Sequence, residues 1–83
     1  APVYDVTRVL LTGGLRSVGL KATPPRLRVL HLLRSGERRH WSADEVHREL
    51  IRSGDDVGLA TVYRVLTQLG QAGIVRRSRF QNQ

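Results

Sequence analysis

Gly58-Leu59-Ala60-Thr61-Val62-Tyr63-Arg64-Val65-Leu66-Thr67-Gln68-Leu69 is the stretch that decides the fold. At about 100° per residue, Val62, Val65, Leu66, Leu69 and Ala72 share one arc of a helix. Thr61, Tyr63, Arg64, Thr67, Gln68 and Gln71 share the opposite arc, which carries no acid. Hydroxyls, a phenol ring, a guanidinium and amides hydrogen-bond base edges and phosphates or pack on thymine methyls. An ordinary solvated face would mix in Glu and Lys.

The flanking sequence frames this helix. Ala72 and Gly73 end it, and Ile74 to Phe80 alternates loosely enough to read as a strand bearing Arg76, Arg77 and Arg79. Upstream, Asp55 to Val57 forms a tight link, with acids placed before a helix start where negative charge is favourable. Ser42 and Glu45 have capping-box spacing, so another helix begins there, with Ala43, Val46, Leu50 and Ile51 apolar and Ser53-Gly54 closing it. Trp41 reads as a buried anchor in a short strand, after a polar link from Glu37 to His40. Thr23 reads as an N-cap before Pro24 and Pro25. The helix that follows presents Leu27, Val29, Leu30, Leu32 and Leu33 and ends near Ser35-Gly36. Leu15 to Ala22 is a connector, and Tyr4 to Leu11 reads as a short first helix stopped near Gly13-Gly14.

That order gives a mainly α, winged helix-turn-helix domain over residues 1–83. Its last two helices form the DNA-binding pair, and the residues near the start of the second reach into the major groove. The wing is expected to be short and incomplete: one strand is legible, and the chain stops at Gln83 where a return strand is needed.

The 83 residues carry 14 Lys and Arg against 7 Asp and Glu, a formal net charge of +7. Such a bias selects nucleic acid, an anionic membrane or an acidic protein as partner. No apolar run approaches the roughly 20 residues of a membrane span, so no membrane partner is expected. The basic residues are spread through the elements rather than gathered in a tail. The absence of cysteine excludes disulfides and thiolate metal sites within these residues. The chain has no Gly-rich phosphate loop and no paired carboxylates in an apolar setting, so no enzyme is expected. The missing methionine, even at position one, suggests a processed start or a shortened chain.

Leu20-Lys21-Ala22-Thr23-Pro24-Pro25-Arg26, Ser42-Ala43-Asp44-Glu45-Val46, Gly58 to Leu66 and Ala72-Gly73-Ile74-Val75 resemble the ferric uptake regulator family over nearly all of the chain after Gly14. The resemblance implies the N-terminal DNA-binding domain of a metal-responsive, iron-sensing repressor in the bacterial cytoplasm. The dimerisation and metal-sensing domain is expected to be absent from this chain. Tyr63 would pack on thymine methyls, Arg64 would contact phosphate or base, and Lys21 would enter an AT-rich minor groove. Arg26 matches an arginine early in the second expected helix, and His40 matches a ligand of the regulatory metal in a full-length parent. The expected partner is double-stranded DNA, as an AT-rich pseudo-palindromic operator bound by a homodimer of the whole protein. These residues alone would be monomeric. They would hold no cofactor, although Fe2+ or Zn2+ is implied for the full-length member. The family's glycines at the wing turn are replaced by Gln81, Asn82 and Gln83.

The candidate DNA-binding set is therefore Lys21, Arg26, Thr61, Tyr63, Arg64, Thr67, Gln68, Arg76 and Arg77, with His40 as the one candidate metal ligand. Each has a blander reading. Tyr63 could be a surface aromatic, Lys21 a loop lysine, and Arg76 and Arg77 a solvated strand face. His40 alone is a loop histidine, because one imidazole is not a metal site. His47 reads as packed on the core and His31 as solvent-facing. Arg26, at a helix start where positive charge is unfavourable, calls for an acidic side chain or a phosphate. Neutralising about five phosphates would make log K fall with log salt at a slope near −4 to −5. The alternative is a protein-interaction module whose basic face docks an acidic partner.

Overall fold

The computed structural model describes residues 2–6, 19–21, 23–35 and 40–79. In chain order they form β1 (Pro2–Val6), α1 (Pro24–Ser35), β2 (Trp41–Ser42), α2 (Ala43–Arg52), α3 (Leu59–Gln71) and β3 (Val75–Arg79). The architecture is a winged helix-turn-helix, with three helices against a small antiparallel sheet of order β2-β1-β3.

Local chemistry explains each helix boundary. The Thr23 carbonyl accepts from the Leu27 N–H at 2.9 Å, which puts Thr23 at the α1 N-cap and Pro24 and Pro25 in the first turn, where no N–H is needed. At α2 the capping box is complete. Ser42 Oγ accepts from the Glu45 N–H at 3.2 Å, and Glu45 Oε1 accepts from the Ser42 N–H at 2.9 Å. Both α2 and α3 end in the same motif. Asp55 N–H donates to the Leu50 carbonyl and Ile74 N–H to the Leu69 carbonyl, each at 2.9 Å. The residue between helix and donor is Gly54 (φ +90°) or Gly73 (φ +82°), a left-handed conformation that glycine adopts without steric cost. Ser35 is the last α1 residue, and the expected cap at Gly36 lies outside the described residues.

The core lies where the three helices meet the sheet. Val29, Val46, Val62, Leu66, Leu69 and Ile74 are completely buried, and Trp41 and Tyr4 cover them from the sheet side. Val62, Val65, Leu66 and Leu69 form the buried stripe of α3 in the expected arc, with Ala72 packed half-buried beside it. Two apolar positions depart from expectation: Leu27 and Ile51 are about half exposed. Each sits on the margin of its helix's apolar arc.

The N-terminal segment corrects the sequence reading. Pro2–Val6 is a strand, not the start of a helix; residues 7–11 of the expected helix lie outside the described residues. β1 takes the middle of the sheet, antiparallel to both neighbours. It pairs Tyr4 with Trp41 on β2, and Pro2 through Val6 with Arg79 back through Val75 on β3. Hydrogen bonding to two strands and burial of Tyr4 outweigh the weak helical spacing of so short a segment. The expectation that β3 would lack a partner is corrected by the same observation: β1 supplies it.

Candidate nucleic-acid interface

The helix-turn-helix pair presents α3 with its polar arc outward. Tyr63 is 45% exposed, although its neighbours Val62 and Val65 are buried. Arg64, Thr67 and Gln71 are exposed beside it, and Thr61 and Gln68 are half-buried. A phenol ring held away from the core by a rigid helix costs little entropy to place against a partner, because only two side-chain torsions need fixing. The turn before α3 is tied to α1 by Asp55 Oδ1, which accepts from Arg28 Nε at 3.0 Å. Arg28 is half exposed, so this pair contributes roughly 0–1 kcal/mol.

Among the candidate residues, Arg26 is the one whose surroundings are most fully determined. Its Nε and Nη2 both donate to Gln68 Oε1, at 3.1 and 2.8 Å, and its Nη1 donates to the Lys21 carbonyl at 3.1 Å. The acid or phosphate expected for it is replaced, within the domain, by two neutral oxygens. One guanidinium thereby joins the first turn of α1, the connector carrying Lys21 and the third turn of α3. The Lys21 side chain itself is exposed.

The wing arginines separate. Arg76 stands directly opposite Asp5 in the β1–β3 register, and its Nη2 lies 3.3 Å from Asp5 Oδ2. Arg77, one residue on, stands opposite Tyr4 on the other face of the sheet. It lines a cleft of about 290 Å³ with Tyr4, Leu66, Thr67, Gly70 and Gln71. The structure thus brings Arg77 to the side of α3 and gives Arg76 a buried carboxylate. Asp5 escaped the sequence reading. Its partner is 71 residues away, and its only local signal is the β-prone Val3-Tyr4-Asp5-Val6 run.

His40 immediately precedes β2 and is half-buried. His31 is exposed on α1, as expected, and His47 is half-buried on α2. A zinc or iron site needs at least three protein donors. Among the described residues no three His, Cys, Asp or Glu gather in a way that could hold a metal ion. The described residues therefore do not complete a metal site around His40. Among them, also, no helix is long and apolar enough to cross a membrane.

The family model of the ferric uptake regulators matches residues 17–83. The chain belongs to that family. The ferric uptake regulation protein of Pseudomonas aeruginosa is 56% identical over 66 residues, which is 80% of this chain and 49% of that one. The structure of the P. aeruginosa ferric uptake regulator with manganese superposes with a TM-score of 0.77 over 80% of this chain and 49% of its own. The Vibrio cholerae ferric uptake regulator, whose crystal structure reveals a rearrangement of its DNA-binding domains, superposes at 0.78, with 50% identity over 82% of this chain and 52% of its own. The chain thus spans about half the length of the family members it matches. The family match begins at residue 17, so the central strand β1 lies before it.

Proposed function

We propose that residues 1–83 form one winged-helix domain that binds double-stranded DNA in a sequence-dependent manner, as the DNA-binding part of a metal-responsive, iron-sensing transcriptional repressor. The observation that carries this reading is the exposed, acid-free arc of α3, on which Tyr63, Arg64 and Thr67 stand together with Arg77 alongside. In a helix-turn-helix the second helix lies in the major groove. There Tyr63 packs on a thymine methyl, Arg64 takes a phosphate or a guanine edge, and Thr61, Thr67 and Gln68 make the adjoining contacts. Lys21 reaches the flanking minor groove, which is narrow and most negative in AT-rich sequence. Phosphate neutralisation supplies most of the affinity, and the α3 side chains supply the discrimination.

The whole protein is proposed to bind an AT-rich pseudo-palindrome as a homodimer, with dimerisation and metal sensing residing outside these residues. These residues alone are proposed to be monomeric, and so to bind a half-site weakly. His40 is proposed to join the regulatory metal only in the whole protein.

Selection of this chain on randomised duplexes tests the reading, with the Tyr63→Ala variant run in parallel. Enrichment of a thymine-containing motif is expected. The variant should lose about 1–3 kcal/mol of preference for it while keeping its affinity for unrelated duplex. Equal loss on every sequence would reduce Tyr63 to a packing or positioning group.

A further inference from the structure

Gln68 occupies the third turn of α3, one turn beyond Arg64, and its side-chain oxygen is used twice by one guanidinium. The orientation of the amide follows from chemistry. Arginine offers only donors, so the atom facing it is the oxygen and not the nitrogen. Arg26 Nε at 3.1 Å and Nη2 at 2.8 Å fork onto that one oxygen, which holds it toward α1. What Gln68 keeps without a competing cation is its Nε2 group, with two N–H donors.

This matters for base reading. The favoured pairing of glutamine with adenine is bidentate: Oε1 accepts from adenine N6 while Nε2 donates to N7. A base donor at Oε1 has to compete with that cationic fork, so the bidentate pairing is disfavoured. Nε2 can donate to guanine N7 or O6, or to thymine O4. Arg26 keeps its full charge against two neutral acceptors, and a hydrogen-bonded amide polarised by a cation becomes a better donor through its nitrogen. The third bond, from Arg26 Nη1 to the Lys21 carbonyl at 3.1 Å, fixes the Lys21 backbone to the same guanidinium.

Building on the DNA-binding reading above, we propose that Arg26 is a specificity-determining positioning residue: it biases Gln68 to read the major groove as a donor and holds Lys21 in register with α3. Arg26 then acts on base choice through another side chain, with no base contact of its own.

Randomised-duplex selection with the 83-residue chain and its Arg26→Ala, Arg26→Lys and Gln68→Ala variants tests this. In Arg26→Ala the freed Oε1 should raise the share of adenine about tenfold at one position, and Gln68→Ala should loosen that same position. Arg26→Lys keeps the charge but not the two-pronged donor geometry, so it should resemble Arg26→Ala in base preference while retaining the parent's salt dependence. Uniform weakening at all positions in Arg26→Ala would overturn the proposal. A parent chain that selects no motif would defeat the DNA-reading proposal itself. The tie is then still decided without DNA, by NMR of the free chain. The Gln68 side-chain NH2 signals of the parent should be displaced from the shifts of a free glutamine amide by the cation on Oε1, and they should move to free-amide shifts in Arg26→Ala while the backbone spectrum keeps its dispersion. Gln68 signals that do not change on that substitution would overturn it.

Discussion

Raising salt from 50 to 200 mM should weaken binding to duplex DNA by about 150-fold. The figure follows from which cations the fold leaves on the α3 side. Lys21, Arg64 and Arg77 are exposed there, and Arg26 is half-buried with only neutral acceptors. Arg76 is paired with the buried Asp5 across the sheet, so it offers little net charge to a phosphate. That leaves about four phosphate contacts instead of the roughly five suggested by charge alone, and at about 0.9 per contact the slope of log K against log salt is near −3.6. Arg64→Gln should reduce the slope to about −2.7 and the weakening to about 40-fold, whereas Arg76→Gln should leave the slope nearly unchanged. Fluorescence anisotropy of a labelled duplex over a salt series reads both quantities. A slope shallower than about −1, or an Arg64→Gln variant with the parent slope, would remove the electrostatic basis of the proposed interface.

Two further expectations concern the scaffold that presents this face. Ser42→Ala removes one half of the α2 capping box and should cost about 1 kcal/mol, lowering the thermal midpoint by about 4–8 °C in a circular-dichroism melt; an unchanged midpoint would mean that the α2 start is held by Trp41 packing alone. Tyr4→Ala empties the middle of the sheet and should cost about 3–5 kcal/mol in urea unfolding, a large share of what a domain this small possesses. A loss below about 1 kcal/mol would show that β1 is dispensable to the fold.

Features written in local chemistry were legible from sequence. The Ser42–Glu45 spacing, the glycines after α2 and α3, the Trp41 anchor and the two-sided character of α3 each depend on residues within a turn or two of one another. Features that depend on distant partners were not. Tyr4 looks like a helix position until β2 and β3 are brought to either side of it. Arg26 and Gln68 are 42 positions apart, and Arg76 and Asp5 are 71 apart. Charge and position showed that Arg26 needed a partner, but no periodicity could show that the partner would be an amide on α3. Arg76 and Arg77 look equivalent in sequence. They part only because alternate residues of a strand face opposite sides of the sheet. Ile51 and Leu27 show the reverse case, where an apolar pattern runs wider than the surface available to cover it.

The most direct measurement of whether α3 reads DNA is NMR titration of the isotope-labelled chain with an AT-rich duplex at low salt. Signals of Tyr63, Arg64 and Thr67 should move first and furthest, with Lys21 and Arg77 following. Perturbation confined to the outer face of α2, around Asp44, Arg48 and Ile51, with the Tyr63 ring signals unmoved, would contradict it.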